Sequence, residues 1–458
     1  MNCSNSPTIV VNASATFNAV FKGTGGVLVA GNRTLTLGSK NTYTAGTTVN
    51  GGTLVFGTDN QGTSYIGKGT LTINAGGTVT PSSGDNPLGY QNNIIHNLVV
   101  NGGTYTTAAT GGHWVDTITM TGGVINGLFL DEQPWSGYAN TFVINPSVVA
   151  STISLNALNL YTTTTFNVAA GGTASVSSAI ARGGGLTKTG AGVLILSGAN
   201  TFTGTTTISG GTLLVNGSIG AGAVTVQTNG TLGGTGSIAV AATVQSGGAL
   251  APGVNGVGTL ATGAQSWNGG GSYLCELNST NTSGCDLVNI TGALALQASA
   301  ANPFTIRPIS LAAGNTPGRL ASFNKFRNYS WTIAAASAGV SNFAANAFSV
   351  DASGFANDTT GGQFAVQVSG NALLLQYLAA PAISPQFTNV VLTTNQALRL
   401  SGTGGAGQAY VLYATTNLPA AAWTAISTNL ADTNGLVQFL DPGATNYPQR
   451  FYRLAAPQ

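Results

Sequence analysis

The residues that could carry acid–base chemistry are few, and several of them lie in one stretch of the sequence. The chain has 11 acidic residues and two histidines in 458 positions. General acid–base catalysis needs carboxylates or imidazoles held against a substrate. One stretch combines such groups with flat aromatic rings that could stack on sugars: His96, His113, Trp114, Asp116, Asp131, Glu132, Trp135 and Tyr138. These residues are called the 96–138 cluster below.

The spacing within the cluster fits a repetitive β-structure. His96 and Asp116 are twenty positions apart, and His113 and Asp131 are eighteen positions apart. In a fold with coils of about twenty residues, such pairs stack on one face and could line a groove that contacts carbohydrate. The stretch also lacks clean repeats, which favours a loop-bearing insertion with solvated polar groups. We find no glycosidase dyad, serine-nucleophile elbow or zinc motif, so the sequence predicts a protein that is not an enzyme.

The three cysteines have no metal-type spacing. Cys275 and Cys285 could close a small hairpin by a disulfide in an oxidising compartment. The alternative is two unpaired small residues in strands, and Cys3 is left over in both cases. The sequence therefore predicts neither a metal site nor a cofactor.

The composition indicates a large core under a neutral surface. Charged residues make up 5% of the chain, against roughly 25% in ordinary domains. Hydrophobic residues reach 43%, and there are 66 glycines. No cluster of Lys or Arg could meet a nucleic-acid backbone, and no run of about 18 apolar residues predicts a membrane span. The N-terminus lacks the pattern of a signal peptide, which we expect to have been removed or to lie outside this chain.

Internal repeats carry the strongest information on the fold. Leu35 to Leu54 reads LTLGSKNTYTAGTTVNGGTL, and Leu194 to Leu213 reads LILSGANTFTGTTTISGGTL. The two segments align without a gap from Leu35 on Leu194 to Leu54 on Leu213, and eleven of the twenty positions are identical, including Asn41 and Asn200. Internal similarity of this kind is typical of repeat architectures.

A weaker unit recurs between and after these segments, often at twenty to twenty-five residues. It is a Gly-Gly or Asn-Gly turn followed by a short run that alternates apolar and polar residues, as in Val224-Thr225-Val226. Glycine permits the tight turn, and the period of two indicates half-buried strands. One unit cannot bury its apolar face alone, but stacked units can. This predicts an all-β right-handed parallel β-helix, whereas a β-sandwich array would show turn signals every 8–12 residues.

The residue composition changes after the repeats, which predicts three regions. Residues 1–265 are assigned to the β-helix repeats. Residues 266–380 are rich in large aromatics and are assigned to a β-rich capping end, because a solenoid end exposes unpaired strand edges. Residues 381–458 are assigned to a linker followed by a small C-terminal β-sandwich.

The repeats resemble the autotransporter-associated β-strand repeat of secreted bacterial passenger proteins. The similarity is closest from Lys188 to Leu213, is good from Gly31 to Leu54, and extends to Ala249–Gly253 with its downstream Gly258-Thr259-Leu260. The resemblance implies a β-helical passenger that is exported and displayed on, or released from, a bacterial cell.

From these observations we expect an extracellular structural or adhesive passenger protein. Its neutral face would contact polysaccharide, other cell-surface proteins or further copies of itself, and not nucleic acid. One alternative is a β-helical polysaccharide lyase or hydrolase that uses the cluster between residues 96 and 135. A second alternative is an export or spacer segment without a ligand.

Overall fold

The computed structural model describes residues 1–58, 64–82, 87–89, 95–107, 115–131, 140–419 and 422–457. Within these ranges the regular structure is strand, apart from short 3-10 turns at Ala345–Ala347, Ala352–Gly354 and Ala444–Asn446. Across the same ranges, no helix has the length and apolar character needed to span a membrane. The all-β prediction is confirmed.

The strands are short and follow one another closely along the chain. The first part contains β1 (Thr8–Val11), β2 (Ala15–Phe17), β3 (Lys22–Gly23), β4 (Val27–Gly31), β5 (Thr34–Leu37), β6 (Thr42–Tyr43), β7 (Thr47–Val49), β8 (Gly52–Phe56), β9 (Leu71–Asn74), β10 (Gly77–Pro81), β11 (Asn97–Asn101), β12 (Thr104–Thr107), β13 (Thr117–Met120), β14 (Val124–Asp131), β15 (Thr141–Ile144) and β16 (Ser151–Asn159). The middle contains β17 (Thr164–Val168), β18 (Thr173–Val176), β19 (Ala179–Ala181), β20 (Leu186–Thr189), β21 (Val193–Leu196), β22 (Ala199–Asn200), β23 (Thr206–Ile208), β24 (Gly211–Val215), β25 (Ser218–Ile219), β26 (Val224–Val226), β27 (Gly230–Gly234), β28 (Ser237–Ile238), β29 (Ala242–Val244), β30 (Ala249–Pro252), β31 (Thr259–Thr262) and β32 (Gln265–Asn268). The last part contains β33 (Ser272–Leu277), β34 (Leu287–Ile290), β35 (Leu294–Gln297), β36 (Phe304–Ala312), β37 (Thr316–Pro317), β38 (Tyr329–Ala336), β39 (Val340–Ser341), β40 (Phe348–Val350), β41 (Gln363–Ser369), β42 (Ala372–Leu378), β43 (Gln386–Leu392), β44 (Leu398–Thr403), β45 (Ala409–Thr415), β46 (Thr424–Leu430), β47 (Leu436–Asp441) and β48 (Phe451–Ala455).

Successive coils stack their strands into long parallel sheets. Among the described residues, the first sheet has 15 strands in the order β1, β4, β7, β9, β11, β13, β15, β17, β20, β23, β26, β29, β32, β35 and β39. The second sheet pairs β2, β5, β8, β10, β12, β14, β16, β18, β21, β24, β27, β30, β33, β36 and β40 in the same way. A third sheet stacks β22, β25, β28, β31, β34 and β38. The predicted parallel β-helix is confirmed.

The alternating sequence explains why the strands enclose one continuous core. In β5, Leu35 and Leu37 are at most 1% exposed, while Thr34 and Thr36 face outward. Equivalent inward positions stack from coil to coil, as where the rings of Phe142 and Phe166 lie parallel with centroids 4.5 Å apart. Each fully buried large apolar side chain contributes roughly 1.5–3 kcal/mol. No single coil has this core on its own, so stability depends on stacking.

The turn glycines of the two similar segments are required by the backbone. Gly52 and Gly211 have φ angles of +69° and +62°, in the left-handed region that side chains rarely adopt. A Cβ at Gly52 would also lie 2.5 Å from the carbonyl oxygen of Arg33 in the preceding coil. Close approach of adjacent coils therefore explains the Gly-Gly pairs.

The shared asparagine of these segments ties three coils together. Asn200 is 1% exposed, and its Oδ1 accepts a hydrogen bond from the Ile180 amide at 3.0 Å. Its Nδ2 donates to the carbonyl oxygens of Gly198 at 3.1 Å and Ser218 at 2.9 Å. Asn41 makes the matching bonds to the Phe21 amide and the Ser39 and Tyr65 carbonyls. The asparagine of the repeat thus provides partners for buried backbone groups in three coils.

Parallel stacking continues through the aromatic-rich region. β32 pairs with β29 and β35, and β36 pairs with β33 and β40. Trp267 stacks on Phe304 with ring centroids 4.8 Å apart. The ring of Tyr273 packs edge-on against Trp267 with centroids 5.8 Å apart. Large aromatics therefore fill the core at this end of the helix. The proposed boundaries at residues 265 and 380 remain predictions.

The chain divides into two compact units. The first comprises Met1–Ala321, Trp331–Ala356 and Val366–Leu375, and the second comprises Ser322–Ser330, Asn357–Ala365 and Gln376–Gln458. The second unit contains two three-stranded antiparallel sheets, β43-β44-β47 and β46-β45-β48. Their shared core consists of Leu400, Tyr410, Leu412, Ala431, Val437 and Phe439. This arrangement agrees with the small C-terminal β-sandwich of the predicted fold.

Candidate binding surface

The structure brings His96 and Asp116 together one coil apart. Each residue directly precedes a strand of the first sheet, and the following residues, Asn97 and Thr117, are paired partners. His96 Nδ1 lies 2.5 Å from Asp116 Oδ2. The histidine side chain is 54% exposed and the aspartate side chain is 17% exposed. The carboxylate can fix the orientation and tautomer of the imidazole, as in many functional histidine sites.

Asp131 lies at the end of β14. Its Oδ1 accepts a hydrogen bond of 2.6 Å from Asn159 Nδ2. Asp116 and Asp131 both line a cavity of about 10 Å³ whose other walls include Leu130 and Phe142. This volume is that of roughly one water molecule, so a sugar ring does not fit inside it.

The other members of the 96–138 cluster fall outside the described residues: His113, Trp114, Glu132, Trp135 and Tyr138. Within the described ranges, no group of three or more His, Cys, Asp or Glu side chains is arranged to hold a metal ion. The groove suggested by the sequence therefore stays a prediction.

A continuous column of hydroxyl side chains runs along the outer face of the first sheet. Its members occupy paired positions in successive strands and are half-buried: Thr117, Thr141, Thr165, Thr187, Thr207, Thr225, Thr243 and Ser266. We call this column the threonine ladder. Neighbouring strands in a sheet are about 4.7–4.9 Å apart, so the ladder presents one hydroxyl at each such step. It extends over eight coils.

A second polar column flanks the ladder two residues further along each strand. From the coil of β17 onward it consists of Asn167, Thr189, Ser209, Gln227, Gln245 and Asn268. All of these side chains are uncharged hydroxyls or amides. Together the two columns form a face that can both donate and accept hydrogen bonds without an ionic group.

Two buried ionisable residues were not singled out as functional from the sequence. The first, Lys188, lies on the inner face of the first sheet between Phe166 and Ile208. Its Nζ donates to the carbonyl oxygens of Thr189 and Gly190 at 2.8 Å and Gly210 at 3.0 Å. Burial lowers the pKa of this ammonium to about 8. Lys188 therefore satisfies the carbonyls of a corner of the helix.

The second, Asp286, has a fully buried carboxyl that lies between the turn at Gly258 and strand β33. Its Oδ1 accepts from the Gly258 amide at 2.8 Å, and its Oδ2 accepts from the Glu276 amide at 2.9 Å. Burial raises the pKa of Asp286 to about 8, opposed by these two hydrogen bonds and assisted by the nearby Glu276 carboxylate. The sequence did not predict this burial, because Asp286 stands beside a turn that contains glycine, where polar residues are usually exposed.

Comparison with known families agrees with the repeats seen in the fold. Residues 27–56 and 186–215 match the passenger-associated transport repeat. In the structure each match spans two strands of the first sheet and two of the second, and contains the coil-bridging Asn41 or Asn200. No curated protein sequence matches the chain significantly. The resemblance to autotransporter-type repeats is thus confirmed, and this chain carries two copies of the passenger-associated transport repeat on a parallel β-helix.

Proposed function

We propose that this chain is the passenger part of an extracellular bacterial protein, and that it adheres to neutral polysaccharide through the threonine ladder. The passenger-type repeats support display on, or release from, the cell. The ladder is the observation that carries the adhesive role. It repeats one chemical group at paired positions along the outer face of the first sheet.

The chemistry of the ladder matches a neutral, repeating ligand. A sugar unit in an extended β-linked polysaccharide is about as long as the spacing between coils, so hydroxyls of protein and polymer can meet at successive steps. A single hydrogen bond contributes only about 0.5–1.5 kcal/mol net. Many such bonds along one polymer act together, because each bond that has formed raises the effective concentration of the polymer at the next hydroxyl of the ladder.

The fold holds the ladder rigid before any ligand binds. Each ladder residue sits in a strand that is hydrogen-bonded to the coils on both sides, from Thr141 to Thr243. The buried Asn200 adds bonds between three of these coils. A surface that is ordered in advance loses less conformational entropy on binding, which favours adhesion by weak contacts.

The His96–Asp116 pair supports one rival function, a polysaccharide lyase or hydrolase. An exposed imidazole that is oriented by a carboxylate can act as a general base or acid. The pair lies next to Thr117, the first residue of the ladder, so a polymer on the ladder could reach it. Chain cleavage distinguishes this rival from adhesion alone.

We expect loss of binding when hydroxyls of the ladder are removed. Replacing Thr187, Thr207, Thr225 and Thr243 together by valine keeps the β-branched shape that suits a strand. Four lost hydrogen-bonding groups should weaken retention on an insoluble neutral glucan at least tenfold, measured by depletion from the supernatant. Thermal unfolding should change little, because the hydroxyls point away from the core.

A matched control is available on the second sheet. Thr34, Thr53, Thr78 and Thr104 are also paired, outward-facing threonines in successive strands. Their joint replacement by valine removes the same number of hydroxyls from another face, and it should leave retention unchanged. Equal losses in both variants, or no loss in the ladder variant, would contradict adhesion through the ladder.

A further inference from the structure

The hairpin between β33 and β34 brings two buried thiols together. Leu277 and Cys285 form an antiparallel bridge, and the Asp286 amide donates to the Glu276 carbonyl at 2.9 Å. Cys275 is two residues before Leu277, so its side chain leaves the same face of the strand. Cys275 and Cys285 are free thiols that are 0% and 4% exposed, and the nearness of the Cys285 thiol adds to burial in raising the pKa of Cys275.

The surroundings of the pair favour a neutral state. Cys285 Sγ lies 3.1 Å from the Thr332 carbonyl oxygen, and the Tyr273 hydroxyl lies 2.9 Å from the Asp286 carbonyl oxygen. The ionisable groups around the pair are the Asp286 carboxyl and the Tyr273 phenol, neither of which stabilises a thiolate. Burial accordingly raises the pKa of the Cys275 thiol. A disulfide carries no charge and needs no hydrogen-bond donor, so it suits this environment.

Thiolate metal binding fits the site less well. Both carboxylate oxygens of Asp286 already accept backbone hydrogen bonds. A structural zinc site needs four ligands, and the described part of the chain offers no group of three candidates. The pair is also too deeply buried for a reactive surface thiol.

We propose that Cys275 and Cys285 form a disulfide that staples the β33–β34 hairpin when the protein folds in an oxidising compartment. The oxidant is a protein or small-molecule disulfide. One thiolate attacks it to give a mixed disulfide and release one thiol, and the second thiolate then attacks the mixed disulfide and releases the other thiol. Two protons and two electrons leave the pair in total. Because the folded hairpin is sealed, oxidation occurs before it closes.

Thiol counting tests the pairing on the whole chain. Protein folded under oxidising conditions is unfolded in urea and alkylated with and without reductant, and intact mass gives the number of labels. We expect one label without reductant, on Cys3, and three with it. The Cys3→Ser variant should give none and two. Three labels without reductant would overturn the proposal, as would peptide mapping that links Cys3 to either partner.

A second measurement tests the buried position of the disulfide in the wild-type protein. In the folded oxidised protein, reductant should release the two thiols at least tenfold more slowly than in urea, because the bond is sealed in the hairpin. Equal rates in folded and unfolded protein would contradict a buried staple. The Cys275→Ser/Cys285→Ser double variant should show neither the reductant-dependent labels nor this difference.

Discussion

Replacing Asn200 by alanine is expected to lower the free energy of unfolding by about 3 kcal/mol or more. The substitution leaves the Ile180 amide and the Ser218 carbonyl without the side-chain partner they have in the interior, and it removes one of the two donors to the Gly198 carbonyl, which keeps the Ser218 amide. Each buried polar group left unpaired costs roughly 1–3 kcal/mol. These groups belong to three coils, so the loss acts on stacking and not on one turn. Urea unfolding followed by circular dichroism measures the change.

Asn216 provides the control for this experiment. It lies in the coil that follows, and its Oδ1 accepts one hydrogen bond of 3.3 Å from the exposed Thr235 amide. Asn216→Ala should change the free energy of unfolding by less than about 0.5 kcal/mol, as is usual for surface positions. If both variants lost equal stability, the bridging role of Asn200 would be wrong.

The buried carboxyl of Asp286 should make the protein less stable as the pH rises from about 4 to about 8. Its pKa is near 3.9 in an unfolded chain and is raised to about 8 by burial in the fold. A group whose pKa is raised on folding contributes stability that is complete below the unfolded pKa. That stability is lost as the pH rises through the folded pKa, at up to about 1.4 kcal/mol per pH unit.

Comparing variants isolates this contribution from other titrating groups, which include the neighbouring Glu276. In Asp286→Asn the fall in stability between pH 4 and 8 should be smaller than in the wild type. Asp351→Asn is the control in the same unit. The Asp351 carboxylate is exposed, its Oδ1 accepts from the Ser353 amide, and hydrogen bonding to Ser353 lowers its pKa. Its replacement should leave the pH profile above 4 unchanged, and parallel profiles for all three proteins would refute the argument.

The architecture could be predicted well from the sequence because the same residues set the local conformation of the chain and the contacts between coils. The Gly-Gly turns are required by a left-handed φ and by close contact between coils, as at Gly52 and Gly211. The alternation of Thr with Val, Ile or Leu separates the outer from the inner face of each strand. Both signals are readable in a single segment, so the coil could be predicted before any pairing was known.

The threonine ladder could not be predicted in the same way, because coil length varies. The step along the chain is longer from Thr165 to Thr187 than from Thr225 to Thr243, although each pair lies side by side in the sheet. Since insertions at the corners shift the spacing, only strand pairing shows which threonines share a column. The burial of Lys188 could not be predicted from the sequence either. Its partners are backbone carbonyls at a corner of the β-helix, which no side chain in the sequence reveals. In the similar segment the same position is Val29, which offers no such bonds.

The contacts within the 96–138 cluster were predicted only in part, and its chemistry stays a prediction. Spacing of one coil placed His96 against Asp116, as the geometry shows. The matching prediction for His113 and Asp131 stays untested, because His113 lies outside the described residues. Spacing identified the His96–Asp116 pair because each residue directly precedes one of two paired strands.

The most direct test of the proposed function is a panel of insoluble polysaccharides incubated with the purified protein. Both the protein retained and the new chain ends released are measured. We expect retention on neutral polymers without new chain ends, and we expect it to persist in the Asp116→Ala/Asp131→Ala variant. New chain ends that disappear in this variant would contradict the adhesive account and identify a degradative β-helix.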